Sequence, residues 1–196
     1  MTSGPLVSVV VPTHDRSALV VRAVRSATSQ TVDDIEVLVV DDGSSDDTPA
    51  VLAELAADDR RLRVLRHEEA RGAPAARNTG IDHATGAYLA LLDDDDEWLP
   101  TKLERQLAQF VDDPSLALVG CHHALVADDG ATVAYRGPTA CTRAELLWCD
   151  FVGGSSLGLV RRDAFPAGLP RFDPDLPTCQ DWDYWVRCAE HGAIAI

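Results

Sequence analysis

The chain has 196 residues, 46% of them hydrophobic, enough for one sizeable core and one domain. Its 32 acidic and 17 basic residues give a formal net charge of -15, which makes nucleic acid and anionic membrane surfaces poor partners for the chain as a whole. Five cysteines, Cys121, Cys141, Cys149, Cys179 and Cys188, are an odd number without a CxxC spacing, so a disulfide framework is not expected.

The elements read as follows in chain order. Leu6–Pro12 is a β-branched run with the character of a strand buried on both faces. Ser17–Ser29 carries apolar residues at helical spacing. Ile35–Val40 is a second buried strand that ends in Asp41-Asp42-Gly43-Ser44. Asp47 is placed to cap a helix running to about Ala57, with Pro49 in its first turn. Leu62–Leu65 is a third strand, Pro74–Ala84 a helix, and Tyr88–Leu92 a fourth strand. Pro100 opens a helix to about Val111, with Asp96 expected as its cap. The alternation predicts an α/β fold with a doubly wound, mostly parallel sheet, whose ligands bind outside the carboxyl ends of the strands.

The second half is less regular. Leu116–Ala127 and Thr132–Tyr135 flank a hairpin turn at Asp128-Asp129-Gly130. Thr142–Trp148 reads as a short helix and Leu157–Val160 as a strand. Asp181–His191 is a helix with Gly192 as its stop signal. Ala193–Ile196 is a last strand or a truncation. Trp148, Phe151 and Trp182 are expected in the core, with stacking on a sugar ring as the alternative. Residues Met1–Pro5 lack the basic region of a signal peptide, and no apolar stretch approaches the roughly 20 residues of a membrane span. A cytoplasmic location is expected, free or at the inner face of the membrane.

Three polar clusters fall at one sheet edge: Thr13-His14-Asp15, Asp41-Asp42, and Asp93 to Asp96. Four adjacent carboxylates repel one another unless a cation compensates them. A hard divalent ion such as Mn2+ or Mg2+ does so, commonly with one or two carboxylates plus substrate phosphates. In an extended segment Asp93 and Asp95 share a face, which makes them the candidate pair; a solvated acidic turn is the competing reading. Asp41-Asp42 reads alternatively as a strand-ending turn, and Arg77 as a surface ion pair or a phosphate contact. Cys121-His122-His123 has metal-ligand types but no partner spacing. The turn after the first strand, Pro12-Thr13-His14-Asp15-Arg16, lacks the glycines of a dinucleotide fingerprint.

The ordered set VSVVVPTHDR (7–16), IEVLVVDDGSSDDT (35–48), GAPAARNTGI (72–81) and LALLDDDDEWLPTKLERQ (89–106) resembles the N-terminal half of a family 2 glycosyltransferase of GT-A fold. Gly153-Gly154-Ser155-Ser156, Arg161-Arg162 and CQDWDYWVR (179–187) resemble its acceptor-side half. The resemblance implies a nucleotide-diphosphate-sugar donor, of the uridine type, a divalent metal, and inverting, non-processive transfer to a glycan, lipid or protein acceptor. It divides a single domain into a donor half, 1–115, and an acceptor half, 116–196. By position it implies that Pro12, Thr13 and Asp15 line the nucleoside pocket, that Asp42 bonds the base with Asp41 beside it, and that Arg77 holds the nucleotide. It implies that Asp93 and Asp95 form the metal-and-nucleotide motif, Asp95 as metal ligand, with Asp94 the alternative to Asp93 at the ribose. Asp181 would be the base. Gln180 departs from the Glu that the family often shows, which keeps a nucleotide-sugar-binding module with weak catalysis as the alternative; a metal-dependent phosphohydrolase is a third reading.

Overall fold

The computed structural model describes residues 4–127 and 129–196; the readings made of Met1–Ser3 and of Asp128 lie outside the described residues. The two β-branched runs form β1 (Val7–Thr13) and β2 (Ile35–Asp41), both buried at every position and paired in parallel from Val7 opposite Ile35 to Thr13 opposite Asp41. β3 (Leu62–Arg66) extends the sheet beyond β2, and β4 (Tyr88–Leu91) pairs with the other side of β1, all in parallel. The connections are α1 (Ser17–Thr28), α2 (Thr48–Asp58) and α3 (Ala73–His83). α4 (Lys102–Asp112) leads to β5 (Leu116–Val119).

β6 (His123–Val126) and β7 (Thr132–Tyr135) form a separate, exposed hairpin. β8 (Ala140–Cys141), α5 (Arg143–Leu146), β9 (Leu159–Arg161), α6 (Gln180–Cys188) and β10 (Ala193–Ala195) complete the chain. The sheet order is β3-β2-β1-β4-β9-β5-β10-β8. β9 is antiparallel to both β4 and β5, and β8 is antiparallel to β10, so the expected parallel sheet becomes mixed in its second half.

Each face of the sheet has its own core. Val7, Val9 and Val11 of β1 point to one side, against Val20 and Val24 of α1, Leu52 of α2 and Phe110 of α4. Val10 points to the other side, with Ile81 of α3 and Tyr184 and Trp185 of α6. Burying one such side chain contributes about 1.5–3 kcal/mol, so the central strands anchor the sheet edge that follows them. Gly80 lets α3 lie close on β1: a Cβ there would stand 2.2 Å from Cγ1 of Val10.

Four expectations are corrected. The 116–127 run is two strands, because the chain leaves the sheet at Gly120 and His123–Val126 is solvated on both faces. Asp47 occupies the cap position of α2 without a side-chain cap bond; Asp46 Oδ1 accepts from the Thr48 N–H at 2.8 Å instead. Asp96 lies upstream of α4, whose cap residue is Thr101. Trp148 is 88% exposed rather than part of the core, since α5 ends before it and nothing packs over it among the described residues.

Candidate functional site

β1 connects to β2 on one side while β4 lies on its other side, so the strand order reverses at the carboxyl ends of β1 and β4. Sheets of this kind open a crevice there. An open cleft of ≈ 380 Å3 occupies the place. Pro12, Thr13, His14 and Arg16 line it after β1, Asp42 after β2, Ala73, Ala76 and Arg77 from α3, and Asp93, Asp94 and Asp95 after β4.

The three aspartates have different partners. Asp94 is buried, and accepts from the Thr13 hydroxyl at 2.7 Å and from Arg16 Nη1 at 2.9 Å. The same Arg16 nitrogen donates to Asp95 Oδ2 at 3.0 Å, and Asp95 is half exposed. The Asp94 carboxylate, then Asp95, raises the Arg16 pKa above its ordinary value. Asp93 accepts from Arg77 Nη2 at 2.7 Å, and its own N–H donates to the Ser156 hydroxyl at 2.9 Å. Among the described residues no group of three or more His, Cys, Asp or Glu side chains is arranged to hold a metal ion. The expected extended run is instead a turn, closed by the Asp96 N–H on the Asp93 carbonyl at 3.1 Å, so Asp93 and Asp95 do not share a face by strand alternation: Asp93 pairs with Arg77 and Asp95 with Arg16. Both still line the cleft with carboxylate oxygens, a donor type that fits a hard dication.

Asp42 is saturated by its own loop. Its carboxylate accepts from His67 Nδ1 at 2.6 Å, from the Arg71 N–H at 2.9 Å and from the Gly72 N–H at 2.7 Å. Burial pushes its pKa up, but these hydrogen bonds outweigh burial and hold it below the ordinary value. Asp41 does not line the cleft. Its Oδ1 accepts from the Ser44 N–H and its Oδ2 faces Arg66 at 3.4 Å. That turn brings Gly43, at φ +74, within 2.8 Å of the Ala70 backbone, measured from where a Cβ would be.

Asp15 also stands back from the cleft. At φ 50 it accepts from the Ser45 N–H at 2.6 Å and the Asp46 N–H at 3.2 Å, bonds that lower its pKa. Asp15 and Asp41 therefore brace the loops around the cleft rather than present their side chains to it.

Arg77 joins the two halves. Besides Asp93, it reaches Gln180 Oε1 at 3.5 Å, the first residue of α6, and its guanidinium lies over the Phe172 ring at 5.2 Å. Asn78 holds the Phe172 backbone by two bonds, 2.8 and 2.7 Å. Asp181 follows Gln180 and its Oδ1 accepts from the Trp182 N–H. Asp150 carries a raised pKa, from burial first and then from the charge of Asp181, so the two acids face one another's field. Asp183 is turned away and paired with Arg187 on α6. Cys121 faces Lys102, and His123 stacks on Tyr135 at 5.0 Å, so these residues of the Cys-His-His run go separate ways.

Sequence reasoning placed His14 at this edge without a role, and missed Arg16 as a lining residue and Ser156 as the group on which Asp93 hangs. The signal was present for Arg16, since a cation directly after a strand-end cluster faces the acids of the neighbouring strand.

The family model described as Glycosyl transferase family 2 matches residues 8–165. A glucosyltransferase of Escherichia coli, the UDP-Glc:alpha-D-GlcNAc-diphosphoundecaprenol beta-1,3-glucosyltransferase WfgD, is 32% identical over 165 residues, 84% of this chain and 64% of its own length. Among solved structures, S. aureus TarS 1-349 in complex with UDP superimposes with a TM-score of 0.79 at 22% identity, over 96% of this chain and 56% of that one. The mannosyltransferase PcManGT from Pyrobaculum calidifontis, in complex with GDP-Man and Mn2+, gives 0.74 at 23%, over 99% and 55%. The chain thus spans less than two thirds of the length of these relatives. The two structures share its fold, GT-A.

Proposed function

This chain belongs to glycosyltransferase family 2, and on that premise we propose that it transfers a sugar from a nucleoside-diphosphate sugar, of the uridine type, to an acceptor hydroxyl in glycan synthesis. The observation that carries the reading is the Arg77 bridge: one guanidinium, 2.7 Å from Asp93 and 3.5 Å from Gln180, ties the acidic edge to the start of α6, where Asp181 sits. A donor diphosphate beside Asp93 and an acceptor hydroxyl beside Asp181 would then meet across one cleft. Residues 1–115 would form the donor half and 116–196 the acceptor half.

Each residue has a task in this reading. Thr13, Pro12 and the Asp42 loop receive the nucleoside, with Asp15 and Asp41 holding the flanking turns and Asp94 near the ribose. Asp93 and Asp95 would hold Mn2+ or Mg2+, which supplies positive charge against the departing diphosphate when bound. Arg77 faces the same charge with a fixed cation. Asp181 accepts the proton of the acceptor hydroxyl as its oxygen forms the new bond to the anomeric carbon and the bond to the diphosphate oxygen breaks. Attack from the face opposite the leaving group inverts the anomeric centre, and holding both partners in line supplies much of the acceleration.

The names of the relatives support a nucleotide-sugar donor, a metal and a lipid-linked acceptor: UDP in TarS and UDP-Glc in WfgD favour the uridine type, PcManGT carries GDP-Man with Mn2+, and WfgD names a diphosphoundecaprenol acceptor. We infer an acceptor of the lipid-linked glycan type, reached from the inner face of the membrane. Among the described residues no helix is long and apolar enough to cross one.

The test is a panel of nucleotide sugars with Mn2+ or Mg2+, with and without lipid-linked glycan acceptors, assayed for released nucleotide. Release that needs acceptor and metal and is lost in Asp181→Asn supports transfer. Tight nucleotide-sugar binding with no turnover on any acceptor would favour a binding module, and hydrolysis of simple phosphate esters without sugar transfer would sink the reading.

A further inference from the structure

We propose that Lys102 is a positioning residue for the acidic edge of the site: its ammonium, held between Trp98 and Gln106, sets the turn from which Asp93 hangs. The proposal rests on the donor-site reading above. Lys102 is the only lysine in the chain and is 9% exposed. Its Nζ lies 4.1 Å from the centre of the Trp98 ring and donates to Gln106 Oε1 at 2.8 Å. Among the described residues no carboxylate stands within ion-pair distance of it, although the chain carries 32 acids. The titratable group that faces it is the Cys121 thiol, beyond the end of β5. A buried cation without an anion is unfavourable, so its two neutral partners need a reason.

Both partners lead to the same three residues. Gln106 Nε2 donates to the carbonyls of Val119 at 2.8 Å and Leu157 at 2.9 Å. The Trp98 indole N–H donates to the Ser156 carbonyl at 2.9 Å. Ser156 in turn accepts the Asp93 N–H on its hydroxyl at 2.9 Å. The turn at Ser155–Leu157 is thus gripped by two side chains that share one ammonium, and it carries the backbone of Asp93. The ring is attracted to the cation and the Gln106 bond is charge-assisted; with loss of the proton the first attraction disappears and the second bond weakens to a neutral one. Burial lowers the Lys102 pKa to about 8, which puts that loss in mildly alkaline solution.

Two measurements test this. Calorimetric titration with UDP and Mg2+ compares the protein with Lys102→Met from pH about 7 to about 9.5. The protein should lose about tenfold in affinity as pH passes the lysine midpoint, whereas Lys102→Met should bind at the weakened level throughout and show no such step. An identical pH profile in both would overturn the proposal. Absence of UDP binding by the unsubstituted protein at every pH would instead sink the donor-site reading, and this proposal with it.

The second measurement needs neither variant nor donor. With one lysine, a labelled ε-carbon gives one resonance for this chain. It should titrate well below the ordinary lysine value, and the Asp93 amide and Trp98 indole signals should move with the same midpoint. A lysine that titrates at its ordinary value, or an Asp93 amide indifferent to it, overturns the positioning role.

Discussion

Arg77 and Asp93 meet at 2.7 Å, a cation from α3 against a carboxylate that follows β4. The arginine is well buried, with side-chain exposure of 11%, and its Nε has no partner among the described residues. A guanidinium in that position is fixed before any ligand arrives. Arg77→Ala is expected to lower turnover by about 10²–10³-fold, the usual cost of removing one preorganised donor to developing charge. Arg77→Lys should recover only part of it, because an ammonium cannot span Asp93 and Gln180 at once. Single-turnover rates with a donor sugar measure both; equal rates for Arg77→Ala and the unsubstituted protein would remove Arg77 from the site.

Arg16 holds Asp94 and Asp95 with one nitrogen, at 2.9 and 3.0 Å. It therefore competes for the carboxylate that a divalent ion would use. Its side chain is 49% exposed, so the competition is weak, at most about 1 kcal/mol. Arg16→Ala should tighten binding of Mn2+ alone by about two- to fivefold. Water-proton relaxation during a Mn2+ titration reads this without any sugar donor. Weaker Mn2+ binding in the variant would mean that Arg16 supports the site instead of occupying it.

The parts of the fold that were legible in the sequence are those where one residue's environment is decided locally. β1, β2 and β4 are almost wholly buried, so their runs are mostly apolar, interrupted by Ser8 and Glu36, which bond each other at 2.6 Å, and by Thr13 and Asp41 at the strand ends; α1 repeats its buried face at Val20, Ala23, Val24 and Ala27. β9 was legible as a strand but not in its direction, because three residues between β4 and β5 are oriented by distant partners. Trp148 illustrates the same limit: an indole reads as core until the tertiary structure leaves it without neighbours. In the cleft, Thr13, Asp42 and Asp93 to Asp95 were legible as strand-end polar groups, Arg77 as a cation on the helix that follows β3, and Pro12 only through the family resemblance. Asp15 and Asp41 were not separable from them, because a carboxylate that braces a turn and one that faces a ligand share the same sequence signal.

Gly80 tests how closely α3 must approach the sheet. A methyl group there would collide with both methyls of Val10, at 2.2 and 2.9 Å. Alanine is otherwise the better helix residue by about 1 kcal/mol, so propensity alone predicts stabilisation. Overpacking opposes it at about 1–3 kcal/mol, and the net expectation for Gly80→Ala is a loss. The helix should also shift away from β1 and carry Arg77 with it. A lower urea midpoint together with weaker UDP binding is expected; a higher midpoint would show that the contact relaxes without strain.

Asp42 sets an acid limit to stability. Its carboxyl is pushed up by burial, yet held below its ordinary 3.8 by His67 and the N–H groups of Arg71 and Gly72. Because the folded value is the lower one, its stabilisation is fully present above the ordinary value and is lost as pH falls through the folded value. Glu36 acts in the same direction: burial raises it, and bonds from Ser8 and Thr85 bring it below its ordinary 4.5. In Asp42→Asn the amide cannot accept all three donors, and one N–H of the 67–72 loop is left unpaired. The cost at neutral pH should be about 1–3 kcal/mol. On acidification the unsubstituted protein loses the same bonds, so the gap between the two should shrink. Urea unfolding at about pH 7 and about pH 3 measures that gap. A gap of equal size at both would mean that the charge on Asp42 contributes nothing to holding the 67–72 loop.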